Sequence, residues 1–155
     1  MKQQTFDNFD RLLEPKKLIS IGILCLIAFL VIFFLWRKLK GTLKDSAAKL
    51  NEDIEIQKLQ ASKKQEPTYS DYEYSVWADQ LYAAMDGMGT TEKTVVTIFG
   101  YMQNDVDVHK LIKAFGNRRG TYCLSSENLY EWIANDHVSD EVNNVLASKG
   151  ITVRF

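Results

Sequence analysis

Catalysis, metal binding and phosphate capture each need particular side chains at particular spacings, and few residues of this chain are candidates. His109 and His137 are its two histidines, both in polar helical stretches, where a surface position is the expectation. Cys123 and His137 are of the right types for a nucleophile and its base. No third group in the sequence orients or activates them, so a partly buried structural thiol is expected at Cys123. Arg118 and Arg119 suit a phosphate or a partner carboxylate, against a default of a solvated loop. Tyr72, Tyr74, Trp77, Tyr82, Trp132 and Phe155 are expected in the core and its rim, not in a ligand cage. No residue is given a catalytic role, and the chain is expected not to be an enzyme.

The elements that must position these side chains begin with an apolar run from Leu18 to Trp36, preceded by Lys16 and Lys17 and followed by Arg37, Lys38 and Lys40. At roughly 1.5 Å per residue the run makes a helix of about 28 Å, close to the roughly 30 Å hydrocarbon core of a bilayer. No charge interrupts it, and Trp36 stands at its end, where an indole with one wet edge is favoured. A cleaved signal peptide would need small residues after the run, and Trp36-Arg37-Lys38-Leu39-Lys40 follows instead. A single-pass membrane anchor is therefore predicted. Cys25 falls inside the run and Cys123 is alone beyond it, so no intrachain disulfide is expected. Lys2, Arg11, Lys16 and Lys17 precede the span, against Arg37, Lys38, Lys40, Lys44 and Lys49 after it, a small excess that points to a cytoplasmic C-terminal side. Arg37, Lys38, Lys40 and Lys44 also form a cluster suited to anionic lipid headgroups; the competing reading is a plain topogenic flank.

From Leu39 to about Ser62 the chain is rich in Lys, Glu, Gln and Ala and lacks proline, which predicts a helix continuing out of the span. Leu43, Ala47, Leu50, Ile54, Gln57 and Ala61 recur at alternating spacings of four and three, the rhythm of a coiled-coil seam. A solvated stalk and an oligomerising coil both fit so short a seam. Pro67 breaks the helix. Beyond it, Ser70 and Glu73 form a capping box ahead of Tyr74, Trp77, Leu81 and Met85 on one face, with Gly87 as the stop. A helix starting near Thr90 would bury Val95, Ile98, Phe99 and Met102; one capped by Asn104 would bury Val108, Leu111, Ile112 and Phe115 and end at Gly116. Ser125 and Ser139 are the expected caps of two more, carrying Leu129, Trp132 and Ile133, then Val142, Val145 and Leu146. Ile151 to Phe155 reads as an extended tail able to pack back. The expected fold is all-α, divided into an N-terminal tail (1–17), a transmembrane helix (18–36), a helical stalk or linker (37–66) and a five-helix domain (67–155).

The segment Met85-Asp86-Gly87-Met88-Gly89-Thr90-Thr91-Glu92 resembles the signature of an annexin repeat, Met-x-Gly-x-Gly-Thr-x-Glu, which lies between the repeat's first and second helices. An annexin repeat also has five short helices, as expected here between Ser70 and Lys149. Small annexin-like modules similar to this one are found in proteins of Bacteroidetes and their phages. The resemblance implies a calcium site built from backbone carbonyls of the loop, here Met85, Gly87 and Gly89, completed by a downstream acid, here Glu127, Glu131 or Asp136, with a lipid phosphate in an open position. Calcium takes six to eight oxygens, and a glycine turn can bring carbonyls together. The sequence differs from the family at Asp86, where a basic residue is usual, at Thr91, where an acid or Asn is common, and in the Arg118-Arg119-Gly120 loop. The same residues also serve a purely structural turn, Gly87 and Gly89 reversing the chain while Thr90 and Glu92 cap the next helix. No other metal or cofactor is expected.

From Pro67 onward twelve acidic residues face seven basic ones, a net charge of −5. An acidic domain without a basic stripe is unsuited to nucleic acid. The expected partners are the bilayer and a protein of some assembly, with self-association through the stalk as a further option. The reading is a membrane-anchored structural or adaptor protein presenting a small helical domain, with a minor membrane-associated virion component as one version if the chain is phage-encoded. The alternatives are a calcium-dependent phospholipid-binding module and a cell-envelope or phage lysis protein.

Overall fold

The computed structural model describes residues 15–87, 89–122 and 125–155. Most of the expected N-terminal tail, and Cys123, lie outside them. The chain is all-α, with six helices and a single two-residue antiparallel pairing among the described residues. Helix α1 (Pro15–Lys63) is followed by α2 (Asp71–Met85), α3 (Glu92–Tyr101) and α4 (Asp105–Phe115). Strands β1 (Arg118–Arg119) and β2 (Ser126–Glu127) come next, then α5 (Leu129–Asn135) and α6 (Ser139–Ser148). The chain divides into two compact units, one up to Thr42 and one from Leu43 to Phe155.

In the first unit α1 is a candidate membrane span. Its apolar side chains are exposed on every face, Leu24 at 72% and Phe29 at 68%, and none of the apolar window is buried against protein. A helix hydrophobic all round is suited to lipid or to a protein core. Lys40 places its ammonium 3.7 Å from the centre of the Trp36 ring, at the end of the apolar run.

The second unit begins earlier than the expected boundary at Pro67, because the C-terminal part of α1 belongs to it. Ile56 is 5% exposed, and polar contacts flank it along the same face. Asp45 accepts from the Asn117 backbone N–H, Glu52 meets His109 Nδ1 at 2.6 Å, Asp53 pairs with Lys113, and Lys63 pairs with Asp105 at 2.8 Å. Asp45, Lys49, Glu52 and Ile56 follow one another at helical spacings, so a continuous stripe docks while the opposite side stays outside. Part of the expected stalk is therefore integral to the domain. His109, expected at the surface, has a side chain only 13% exposed. Helix α1 stops where Lys64 takes φ +53° and Pro67 follows.

The core of this unit comes from α2 to α6 and the tail. Tyr74, Ala78, Leu81 and Met85 of α2 meet Val95, Ile98 and Phe99 of α3, Val108, Leu111, Ile112 and Phe115 of α4, Leu129, Trp132 and Ile133 of α5, and Val142 and Leu146 of α6. Ser70 makes the expected capping box with Glu73, and Asn104 accepts from the Asp107 N–H. The two expected serine caps are not used. Helix α5 is capped by Asn128, which forms a second capping box with Glu131, and α6 starts at Val138 without a side-chain cap. Gly116 ends α4 at φ +61°, and a Cβ there would stand 3.0 Å from the Asp45 carboxylate and 3.2 Å from Lys49. This glycine serves both the left-handed turn and the approach of α1. The tail returns onto the core, with Ile151 buried and the Phe155 backbone held in both directions by the Asn143 side chain.

Candidate functional site

Three segments meet around the glycine turn. The first is the turn after α2, where Asp86 closes the helix by donating its N–H to the Tyr82 carbonyl and the Thr91 N–H reaches back to the Ala84 carbonyl. Between them Gly87 and Gly89 adopt φ of +128° and +100°, which side-chain-bearing residues rarely tolerate. The second is the loop of the β1–β2 pairing, in which Arg118 lies opposite Glu127. The third is the end of α5 at Asn135 and Asp136.

Asp86 joins the first two. Its carboxylate accepts from the Thr121 backbone N–H at 2.6 Å and from the Thr121 hydroxyl at 2.8 Å. These bonds, the backbone one foremost, hold its pKa below the ordinary carboxylate value. Arg118 is fixed beside them and is no solvated loop residue: it pairs with Asp79 at 2.8 Å, donates Nε–H to the Phe115 carbonyl, and lies near the rings of Tyr82 and Phe115. Trp132 forms the floor, edge-on to Tyr82 and Phe115, with its indole N–H directed to the Arg118 carbonyl.

A cavity of about 130 Å³ lies between these segments, and Met85, Gly87, Glu127 and Asp136 of the expected calcium set all line it. Gly89 and Glu131 do not. The Glu131 carboxylate is committed to the start of its own helix, accepting the Asn128 N–H at 2.8 Å, and lies 3.8 Å from Lys44. Glu127 accepts from the Asn135 amide at 3.0 Å. Asp136 differs, because its Oδ2 is buried and has no hydrogen-bond partner among the described residues. An unpartnered carboxylate oxygen carries a desolvation cost that a cation or a water would relieve. The oxygens here are of the kind calcium takes. No three acidic, histidine or cysteine side chains converge closely enough to hold a metal ion among the described residues. Any cation would depend on backbone carbonyls together with Asp136.

The basic cluster is dispersed. Lys40 covers Trp36, and Lys44 donates to the Ser126 carbonyl as well as approaching Glu131. Lys44 belongs to the second unit, whereas Arg37, Lys38 and Lys40 belong to the first. His137, 28 residues from its fellow histidine in sequence, is exposed with φ +58° and ends the α5–α6 turn. The charged groups that sequence reasoning passed over are Asp105 and Asp107, 2% and 0% exposed. Their signal was the pattern Asp105-Val106-Asp107-Val108 directly after a cap, where first-turn acids favour the positive end of a helix. Comparison of the chain with protein-family models, with curated proteins and with solved structures finds no match.

Proposed function

We propose that this chain is a single-pass membrane protein whose helical unit serves as a structural or adaptor module, with its C-terminal side in the cytoplasm. The observation that carries the reading is the apolar part of α1, exposed on every face among the described residues. Exposure on that scale in water is unfavourable by about 25 cal/mol per Å² of apolar surface. A binding role in preference to catalysis is supported by Asp105 and Asp107, the buried acids of the helical unit, which are committed to structural contacts. A minor membrane-associated virion component is one specific form of this reading. Full-length protein is expected to stay with membranes through high salt and alkaline carbonate; release by carbonate would overturn the anchor.

A second reading, a calcium-dependent phospholipid-binding module resembling an annexin repeat, is favoured by one observation, the buried unpartnered Oδ2 of Asp136 in the cavity beside Met85 and Gly87. With few free carboxylates, no tight binding is expected at submillimolar calcium, and no calcium-induced sedimentation with anionic liposomes. Calorimetry checks the first point. Strong binding that is lost in Asp136→Asn and kept in Glu131→Gln would favour this second reading over the first.

A further inference from the structure

The docked face of α1 leaves its other face without a partner. Leu43 and Leu50 are each 61% exposed and Ile54 is 42% exposed, and Ala47, Gln57 and Ala61 between and after them are exposed too. These six residues are spaced four and three apart, whereas Asp45, Glu52 and Ile56, which face the chain's own domain, lie on the far side of the helix. An apolar stripe that the domain leaves open is anomalous on a helix otherwise lined with Lys, Glu and Asp.

We propose that this stripe is a dimer seam and that its occupant is the same stripe of a second copy of the chain, packed as a short parallel coiled coil. The heptad assignment follows from the spacing: Leu43, Leu50 and Gln57 fall at d, Ala47, Ile54 and Ala61 at a. At the centre of the seam Ile54 at a follows Leu50 at d, the β-branched and leucine combination that favours two parallel strands. The flanking charges agree with that choice. Asp53 falls at g and Lys58 at the following e; within the chain they meet Lys113 and Glu55, but both side chains stay substantially exposed, at 41% and 63%, so in a parallel pair each Asp53 also faces a Lys58 of the other copy. A different protein would need its own matching seam, whereas a second copy has one by construction. The parallel orientation rests on the anchored reading, since two copies inserted by the same span enter the bilayer in the same sense. Confinement to one membrane also raises their effective concentration, which lets a seam this short associate.

The test uses the full chain in phosphatidylcholine vesicles, in a Cys25→Ser, Cys123→Ser background, with single changes Leu50→Cys, Ile54→Cys or Glu55→Cys and a mild oxidant. Disulfide-linked dimers are expected for the first two and not for Glu55→Cys, which lies off the seam, and adding Leu50→Lys to the Ile54→Cys chain should abolish its dimer. Equal yields at all three positions, or none at any, would overturn the proposal. As a check independent of substitution, an amine-reactive crosslinker added to the unaltered chain in the same vesicles should give a band at twice the 17.8 kDa of one chain; a band at the mass of a single chain alone would overturn it as well. Carbonate extraction of the same vesicles reads the anchor separately, so a monomer that resists extraction removes the seam and leaves the membrane reading intact.

Discussion

Asp107 is fully enclosed, and its two carboxylate oxygens accept from the Thr68 N–H, the Gln103 N–H and the Tyr74 hydroxyl, the last at 2.6 Å. Burial, with the bond to Asp107 second, raises the Tyr74 pKa, so that phenol remains a donor throughout the ordinary pH range. Asp107→Ala would leave three donors without an acceptor and should destabilise the protein by about 3 kcal/mol, measured by denaturant unfolding. Asp105 works in the same way on the tail, accepting from the Thr152 and Val153 N–H groups and pairing with Lys63. Burial opposes its ionisation, but Lys63 and Thr152 outweigh that, and its pKa lies below the ordinary 3.8. Asp45 is lowered against the same opposition, through Lys49 and the Asn117 N–H. A carboxylate whose pKa is depressed by folding adds stability that is fully present above its unfolded value and lost as pH falls through the folded one. The melting temperature should therefore be level near neutral pH and fall below about pH 4. Lys63→Ala should make that fall shallower; an unchanged slope would show that the pair with Asp105 contributes nothing in solution.

At the level of elements, the best-read features were those with local causes. The Ser70 capping box, the Asn104 cap, the stop at Gly116 and the buried faces of α2, α3 and α4 follow from side chains within a turn or two of each other. The serine caps at Ser125 and Ser139 were misread because a polar residue before an apolar run is common, and only the chain path shows that Ser126 pairs in β2 while Asn128, with Glu131 three residues on, starts α5. Of the expected calcium set, Glu131 is claimed locally by the capping box with Asn128 three residues before it, whereas the cavity that Asp136 lines depends on where the β1–β2 loop folds over. The docking of α1 was hidden for a related reason: its contact face is mostly charged, and a polar stripe reads as solvated until its partners are placed opposite. That face has a measurable consequence. A fragment starting at Leu43 keeps Ile56 and the polar contacts to His109, Lys113 and Asp105, whereas one starting at Pro67 exposes their partners. Both should be helical by circular dichroism, but the shorter should melt several degrees lower, since even 1 kcal/mol shifts a domain of this size by roughly 4 to 8 °C. Equal melting temperatures would mean that α1 rests against the domain without stabilising it.

For the molecule as a whole, orientation in the membrane turns on the charge near the span. Insertion is driven by the apolar transfer of the run, which is insensitive to direction; direction is set by Lys and Arg counted close to its ends. Here that count is nearly balanced, with Lys2, Arg11, Lys16 and Lys17 on one side and Arg37, Lys38, Lys40, Lys44 and Lys49 on the other. The acidic residues beyond Pro67 do not enter, because the rule is not one of net charge. Of the five on the C-terminal side, Lys44 is drawn to Ser126 and Glu131, and Lys49 pairs with Asp45, so their pull on orientation acts only before the domain has folded. The remaining three, Arg37, Lys38 and Lys40, stand directly after the apolar run and should dominate. A reporter fused after Phe155 is expected to read cytoplasmic in the unaltered chain. Arg37→Gln with Lys38→Gln reverses the balance, leaving three basic residues after the span against four before it, and should move a substantial fraction of chains to the opposite orientation while leaving carbonate resistance unchanged. If the reporter keeps its side in the doubly substituted chain, the flanking charge is not what orients the protein; the rapid folding of an acidic helical unit too compact to translocate would then be the stronger constraint.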